Sequence, residues 1–285
     1  MRRARRFRNL YVTVRCWTQG ARWIDDRRHD APRTFARAAT RRRLLWIIPL
    51  FVLIAAVVTH GLRDRAIAAQ VLRADPEAIL GDPTLRDAAI AAGHPVYAQH
   101  CASCHGAAGK GDRTLGVPDL TDSEHLYREG TVAQIEDIAR YGIRAGNKHG
   151  WNLAVMPAYA SKNPDAAEPL PPQTPAQIET LARFIHAFTA GVTDVAAQQR
   201  GRDAYNKAGC WDCHGRDLGG DGAIGAPALT DDIWLYGGSI ADIRRSISRG
   251  RAGMSPAFAR KLTPAELRNV AVYVASLAPT QSDRK

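Results

Sequence analysis

A chain of 285 residues, 45% apolar and 24% charged, is long enough for two domains of about 100 residues each and a further segment. Its composition argues against both a polytopic membrane protein and a largely disordered chain. Residues 1–43 hold 14 Arg and 3 Asp, which is the whole formal net charge of +11, while 25 basic and 25 acidic residues cancel over 44–285; the charge is a property of one tail, and no nucleic-acid partner is expected.

The tail, 1–43, sets Phe7, Leu10, Val14, Trp17 and Ala21 at spacings of three and four between arginines. That pattern suits a short helix on an anionic lipid surface, where each nearby basic residue contributes roughly 1 kcal/mol; a solvated tail is an equally open reading. Leu44–Gly61 (LLWIIPLFVLIAAVVTHG) follows without an ionisable group before His60. At helical rise it spans about 27 Å, which predicts one transmembrane helix with Pro49 in its first turns. A cleaved signal peptide is the alternative, but 43 residues precede the apolar run, where a signal sequence begins close to the N-terminus. Arg41, Arg42 and Arg43 on the N-terminal side put the tail in the cytoplasm and the rest outside it; Cys16 then reads as a free reduced thiol.

After a linker, 62–86, come two similar units, 87–191 and 192–285. The first opens on CASCH (Cys101, Cys104, His105) and the second on CWDCH (Cys210, Cys213, His214). C-x-x-C-H is the attachment signature of c-type haem: two thiols one turn apart can add to the two vinyl groups of one haem, with the adjacent imidazole beneath the iron. A dithiol redox motif would need a strand before it, a zinc site would have to join two motifs 109 residues apart, and structural disulfides would leave both histidines without a role.

The repeat extends past the motifs without a gap. Gly116, Pro118, Leu120, Thr121, Asp122 and Tyr127 match Gly225, Pro227, Leu229, Thr230, Asp231 and Tyr236 at the same offset of 109. Pro118 and Pro227 are expected to set a backbone carbonyl against the proximal imidazole. Beyond Met1 the chain has two methionines, Met156 in AVMPAY and Met254 in GMSPAF. One per repeat, each beside a Pro-Ala-aromatic turn, they are expected as sixth ligands opposite His105 and His214, which makes a low-spin centre that passes electrons. His94, His100, His125 and His149 compete for that position in the first unit, and Met156 is preferred because the second repeat has its counterpart. Thr174-Pro175-Ala176-Gln177 and Thr263-Pro264-Ala265-Glu266 each predict a capping box and a helix start. The stripes that follow (Ile178, Leu181, Ile185; Leu267, Val270, Val274) are expected to pack on the helix leading into each motif, through Gly93 and Tyr97 or Gly201 and Tyr205. Two longer loops, Arg144–Val155 and Ser161–Gln173, distinguish the first unit, either as a docking surface or as tolerated insertions.

In these residues the chain resembles subunit III of the cbb-three-type (C-family) haem-copper cytochrome c oxidases. The resemblance is closest in GAPALTDDIWLYGGS (Gly225–Ser239), ISRGRAGM, the CHG motifs, VMPAY and VAVYVASLAP. It departs in APRTFARAATRRR before the membrane helix, where relatives carry an acidic stretch with Asn-Pro and a tryptophan pair, and in Met-Ser-Pro-Ala for Met-Pro-Ala. The resemblance implies an all-α fold of one N-terminal transmembrane helix and two tandem class I cytochrome c domains, with two covalently bound c-type haems. It also implies the inner membrane of a Gram-negative bacterium, haem domains in the periplasm, and a catalytic haem-copper subunit and a monohaem cytochrome subunit as partners in a respiratory oxidase that reduces oxygen to water. In such subunits each domain is thought to supply the methionine of the other's haem; the sequence leaves own-repeat and exchanged ligation open. A soluble cytochrome c or a quinol-oxidising complex is the expected donor, and no catalytic residue is expected on this chain. A free-standing dihaem carrier, a periplasmic dehydrogenase subunit and a dihaem peroxidase are the alternatives.

Overall fold

The computed structural model describes residues 34–162, 171–191 and 193–278, with side chains from 47 onward. The surface helix expected in the tail, Cys16 and the middle of the second longer loop lie outside the described residues. The chain divides at Val57 into two units.

Helix α1 (Thr34–Arg73) begins before the apolar run. Its Ile47–Arg73 stretch is long and apolar enough to cross a membrane, and Phe51, Leu53 and Val57 are exposed along it. Pro49 therefore lies inside the helix, not in its first turns as expected. The Ala- and Arg-rich residues ahead of it are strong helix formers that extend the helix backwards, and membrane helices tolerate an interior proline.

The unit from Val58 is built of helices, and its described residues form isolated bridges and no named strand. The stretch expected as a linker, 62–86, is structured: the end of α1 is followed by a 3-10 turn, Pro76–Gly81, capped by Asp75, and Asp82 caps α2 (Pro83–His100). Val71 and Ile79 are buried there with Ala89, Val132, Ala271 and Val272. Their apolar positions are too sparse to read as an element in one dimension, and only the helices laid over them make them a core. Each motif forms a single helical turn, α3 (Ala102–His105) and α7 (Trp211–His214). Between motif and methionine lie α4 (Val132–Tyr141) and α8 (Ile240–Arg249), both ending on a glycine, Gly142 and Gly250. The two expected capping boxes are both present, at the starts of α5 (Pro175–Ala190) and α9 (Pro264–Ala275).

The helix pairing differs from the expected one. Helix α6 (Val195–Lys207), which leads into the second motif, packs on α5 of the first repeat, and α2 packs on α9 of the second. An added Cβ at Gly93 would run into the carbonyl of Asn269 on α9, and one at Gly201 into the ring of Phe184 on α5. The small-residue contacts are those read from the sequence, but the partner helix comes from the other repeat. Chain connectivity supplies the reason: α5 ends at Ala190 and α6 starts at Val195, so the shortest way to cover both stripes is an antiparallel hairpin, and α2 is then left to α9.

One ionic cluster lies in the first core. Glu136 on α4, 7% exposed, is paired with Arg140 and with Arg268 of α9. Arg268 also donates to the carbonyls of Val71 and Ala74, 3.4 and 3.2 Å away, at the C-terminal end of α1. The guanidinium thus neutralises a buried carboxylate and caps the negative end of a helix.

Candidate functional site

In both motifs the chain turns at cysteine into one helical turn and leaves through a glycine of positive φ, Gly106 at 76° and Gly215 at 75°. The tyrosine hydroxyl of the preceding helix fixes that exit: Tyr97 donates to Gly106 O and Tyr205 to Gly215 O, each at 2.7 Å. The histidines are oriented from the other side. His105 Nδ1 is 3.3 Å from Pro118 O, and His214 Nδ1 is 3.0 Å from Pro227 O. A carbonyl can only accept, so Nδ1 carries the proton and Nε2 keeps its lone pair. Burial lowers both imidazole pKa values, against the smaller raising effect of that hydrogen bond. The neutral imidazole that a metal requires is therefore the resident form.

Cys101 and Cys210 are not activated for redox exchange. Burial, with the Cys104 thiol adding to it, pushes Cys101 up to about 11; Cys210 is pushed up to about 11 by burial too, despite the hydrogen bond it accepts from Tyr159. Dithiol oxidoreductases depend on the opposite shift. Two cysteines one turn apart, the first of each pair a buried thiol of raised pKa, beside an oriented neutral imidazole fit covalent attachment of haem better than disulfide exchange.

Each methionine loop lies with the motif of the other repeat. Met156 pairs through its backbone with Arg251 beyond α8, N to O 3.0 Å and 3.1 Å in return. It packs on the core that includes Tyr205 and Leu218, on which Cys210 and Trp211 also pack. Three residues on, the amides of Tyr159 and Ala160 donate to Ile247 O and Ser248 O in the last turn of α8. The loop of Met254 does the same in mirror: Ser255 pairs with Ile143 beyond α4, and the amides of Phe258 and Ala259 donate to Ala139 O and Arg140 O. Phe258 also meets the ring of His100, next to Cys101, at 6.0 Å between centroids. Gly142 and Gly250 make room for this crossing, since a Cβ at Gly142 would meet Ser255 O and one at Gly250 would meet Met156 O.

The competing histidines are otherwise engaged: His94 with Tyr273, His100 with Phe258 and His149 with Tyr141, each ring to ring. The matched glycines and tyrosines are also used crosswise. Gly116 lies against the ring of Tyr236, and Gly225 against that of Tyr127. The first longer loop folds back on α4, with Trp151 donating to Gly142 O at 3.0 Å and its ring 5.7 Å from that of Tyr127. Sequence reasoning missed Tyr159 as a neighbour of Cys210, the Glu136–Arg268 pair and the contacts of Arg144. Tyr159 alone left a signal, as the aromatic of the Met-Pro-Ala-aromatic turn.

Comparison with known proteins identifies the family. Residues 88–168 and 196–274 match the family described as cytochrome C oxidase, cbb3-type, subunit III. The chain is 34% identical over 219 residues to the cbb3-type cytochrome c oxidase subunit FixP of Azorhizobium caulinodans, covering 76% of this chain and 69% of that one. It is 33% identical over 214 residues to subunit CcoP of Cereibacter sphaeroides (75% and 70%) and 32% over 253 residues to FixP of Bradyrhizobium diazoefficiens (81% and 82%). The matched stretches hold both motifs and both methionine loops, so the chain belongs to the family of subunit III of the cbb3-type cytochrome c oxidases.

Proposed function

We propose that this chain is a single-pass electron-transfer subunit with two haems, which takes electrons from a donor outside the cytoplasm and passes them to the catalytic haem-copper subunit of its oxidase. Cys101 and Cys104 would hold one haem with His105 beneath it, and Cys210, Cys213 and His214 the other. Met254 is assigned opposite His105 and Met156 opposite His214. The observation that carries this assignment is the backbone pairing that lays each methionine loop across the end of the other repeat's helix. When bound, the haem would supply reversible one-electron chemistry, with an imidazole and a thioether sulfur of this chain as the ligands held for its iron. The chain's own residues orient: Pro118 and Pro227 hold the imidazoles, and Tyr97 and Tyr205 pin the turns. A sixth position filled by sulfur favours electron transfer over a peroxidase.

The arginines at 41–43 favour a cytoplasmic tail and periplasmic haem domains at the inner membrane of a Gram-negative bacterium. A soluble cytochrome c or a quinol-oxidising complex is the donor in this reading, the monohaem cytochrome subunit a second neighbour, and membrane lipid the environment of α1 and the tail.

The test starts from the mass of the mature chain, which should exceed the polypeptide by two haems; a gain of one or none would refute the dihaem reading. In a variant with Cys101 and Cys104 changed to alanine, only the second haem remains. There Met156→Ala should abolish the sulfur-to-iron band in the far red and Met254→Ala should leave it, and the reverse outcome would return ligation to the own repeat. Co-purification with a haem-copper subunit from gently solubilised membranes tests the partner.

A further inference from the structure

Arg144 is the one side chain among the described residues seen to bond both methionine loops at once. It lies two residues beyond the capping Gly142 of α4, at φ +49°, a region that a side-chain-bearing residue occupies only when its surroundings hold it there. Its amide donates to Trp151 O at 3.0 Å. Its guanidinium divides between the two loops: Nε donates to Gly253 O, adjacent to Met254, and Nη1 to Ala154 O at 2.7 Å, two residues before Met156. Counted from the capping glycines, the equivalent position in the second repeat is Ala252, which has no side chain to reach with. The pseudosymmetric crossing is thus closed by a single asymmetric contact.

We infer that Arg144 is a positioning residue for both sixth ligands: one planar cation clamps the two methionine loops together, so that displacement of either sulfur loosens the other. The inference rests on the assignment of Met156 and Met254 as ligands. A planar fork with fixed donor directions suits two carbonyls on separate loops, whereas a lysine ammonium is a point donor on a flexible stem. Backbone bridges at Met156–Arg251 and Ile143–Ser255 set the register of each loop, and Arg144 is the side chain that ties one to the other.

The test uses the full haem-loaded chain with Arg144→Gln and Arg144→Lys. Three readouts apply: the far-red sulfur-to-iron band, binding of carbon monoxide to the ferrous protein, and hydrogen exchange at the amides of Met156 and Ser255. Arg144→Gln should weaken the band at both haems, admit carbon monoxide at both, and speed exchange at both amides by about tenfold, as expected for loss of a charge-assisted hydrogen bond. Arg144→Lys keeps charge and length, and should lose the clamp in part, again at both loops. It decides the matter if the glutamine variant does not accumulate. Lysine behaviour identical to wild type, or an effect confined to one loop, would overturn the inference. If the unaltered protein lacks the far-red band, the ligand assignment fails, while the exchange rates still report on the clamp.

Discussion

Tyr97 and Tyr205 sit at matched places, each buried on the helix that enters a motif and each bonded to the glycine that leaves it. The sequence presents them as packing residues, and their apolar rings justify that; the hydroxyl contacts require the turn to be seen. Tyr97→Phe and Tyr205→Phe should each lower stability by about 1 kcal/mol in chemical denaturation, the usual cost of a lost neutral hydrogen bond. Burial, with smaller pushes from Cys101 and Tyr273, raises Tyr97 from 10.0 to about 12. For an acid whose folded pKa is raised, the stabilisation is intact below the unfolded value and is lost as the pH climbs to the folded one. Stability should therefore fall between pH 10 and about 12, and Tyr97→Phe should flatten part of that fall. Denaturation curves across that range would check both outcomes.

Helices in this chain were readable one at a time and not in pairs. Caps at Thr174 and Thr263 are local, because the bonding groups lie three residues apart. Helix partners depend on distance in space. Gly93→Ala would force apart α2 and α9, and Gly201→Ala α5 and α6, since the added carbon meets a carbonyl in one and a ring in the other. Each should cost about 1–3 kcal/mol, the range for overpacking a close contact, seen as a lower thermal midpoint. Nothing in the sequence pairs Glu136 with Arg268, which are 132 positions apart. Glu136→Gln leaves two arginines facing a neutral amide, and should destabilise the full chain by roughly 3 kcal/mol, the lower end for removing one partner of a buried ion pair. Thermal unfolding in detergent of that variant beside Arg140→Gln, which keeps the carboxylate and its pair with Arg268, would show how much of the loss belongs to the Arg140 pair.

At the scale of the whole chain, the two repeats are intertwined, and a cut between 191 and 192 divides partners from one another. It separates α5 from α6 and α8, and α2 and α4 from α9. Fragments made at that cut should unfold at lower denaturant than the intact chain and show little of the far-red band. Mixing or coexpressing them should restore the spectrum with a dependence on concentration, as for any association that completes a core. Two fragments that each carry a native spectrum, unchanged on mixing, would show that the units close on themselves.

By itself the sequence determined the family and the capped helices. Attachment motifs, capping boxes, the apolar span and the matched methionines are written in spacings of a few residues, and local bonds obey local spacing. Only the tertiary structure decided which half completes which. The stripes of the two repeats are alike enough that either helix could cover either site, so pattern cannot choose between them. The choice falls to the short connection between α5 and α6, and to Arg144 and Arg268, whose partners lie far along the chain. The first linker becomes core for the same reason: Val71 and Ile79 are unremarkable until α9 arrives from the far end to bury them.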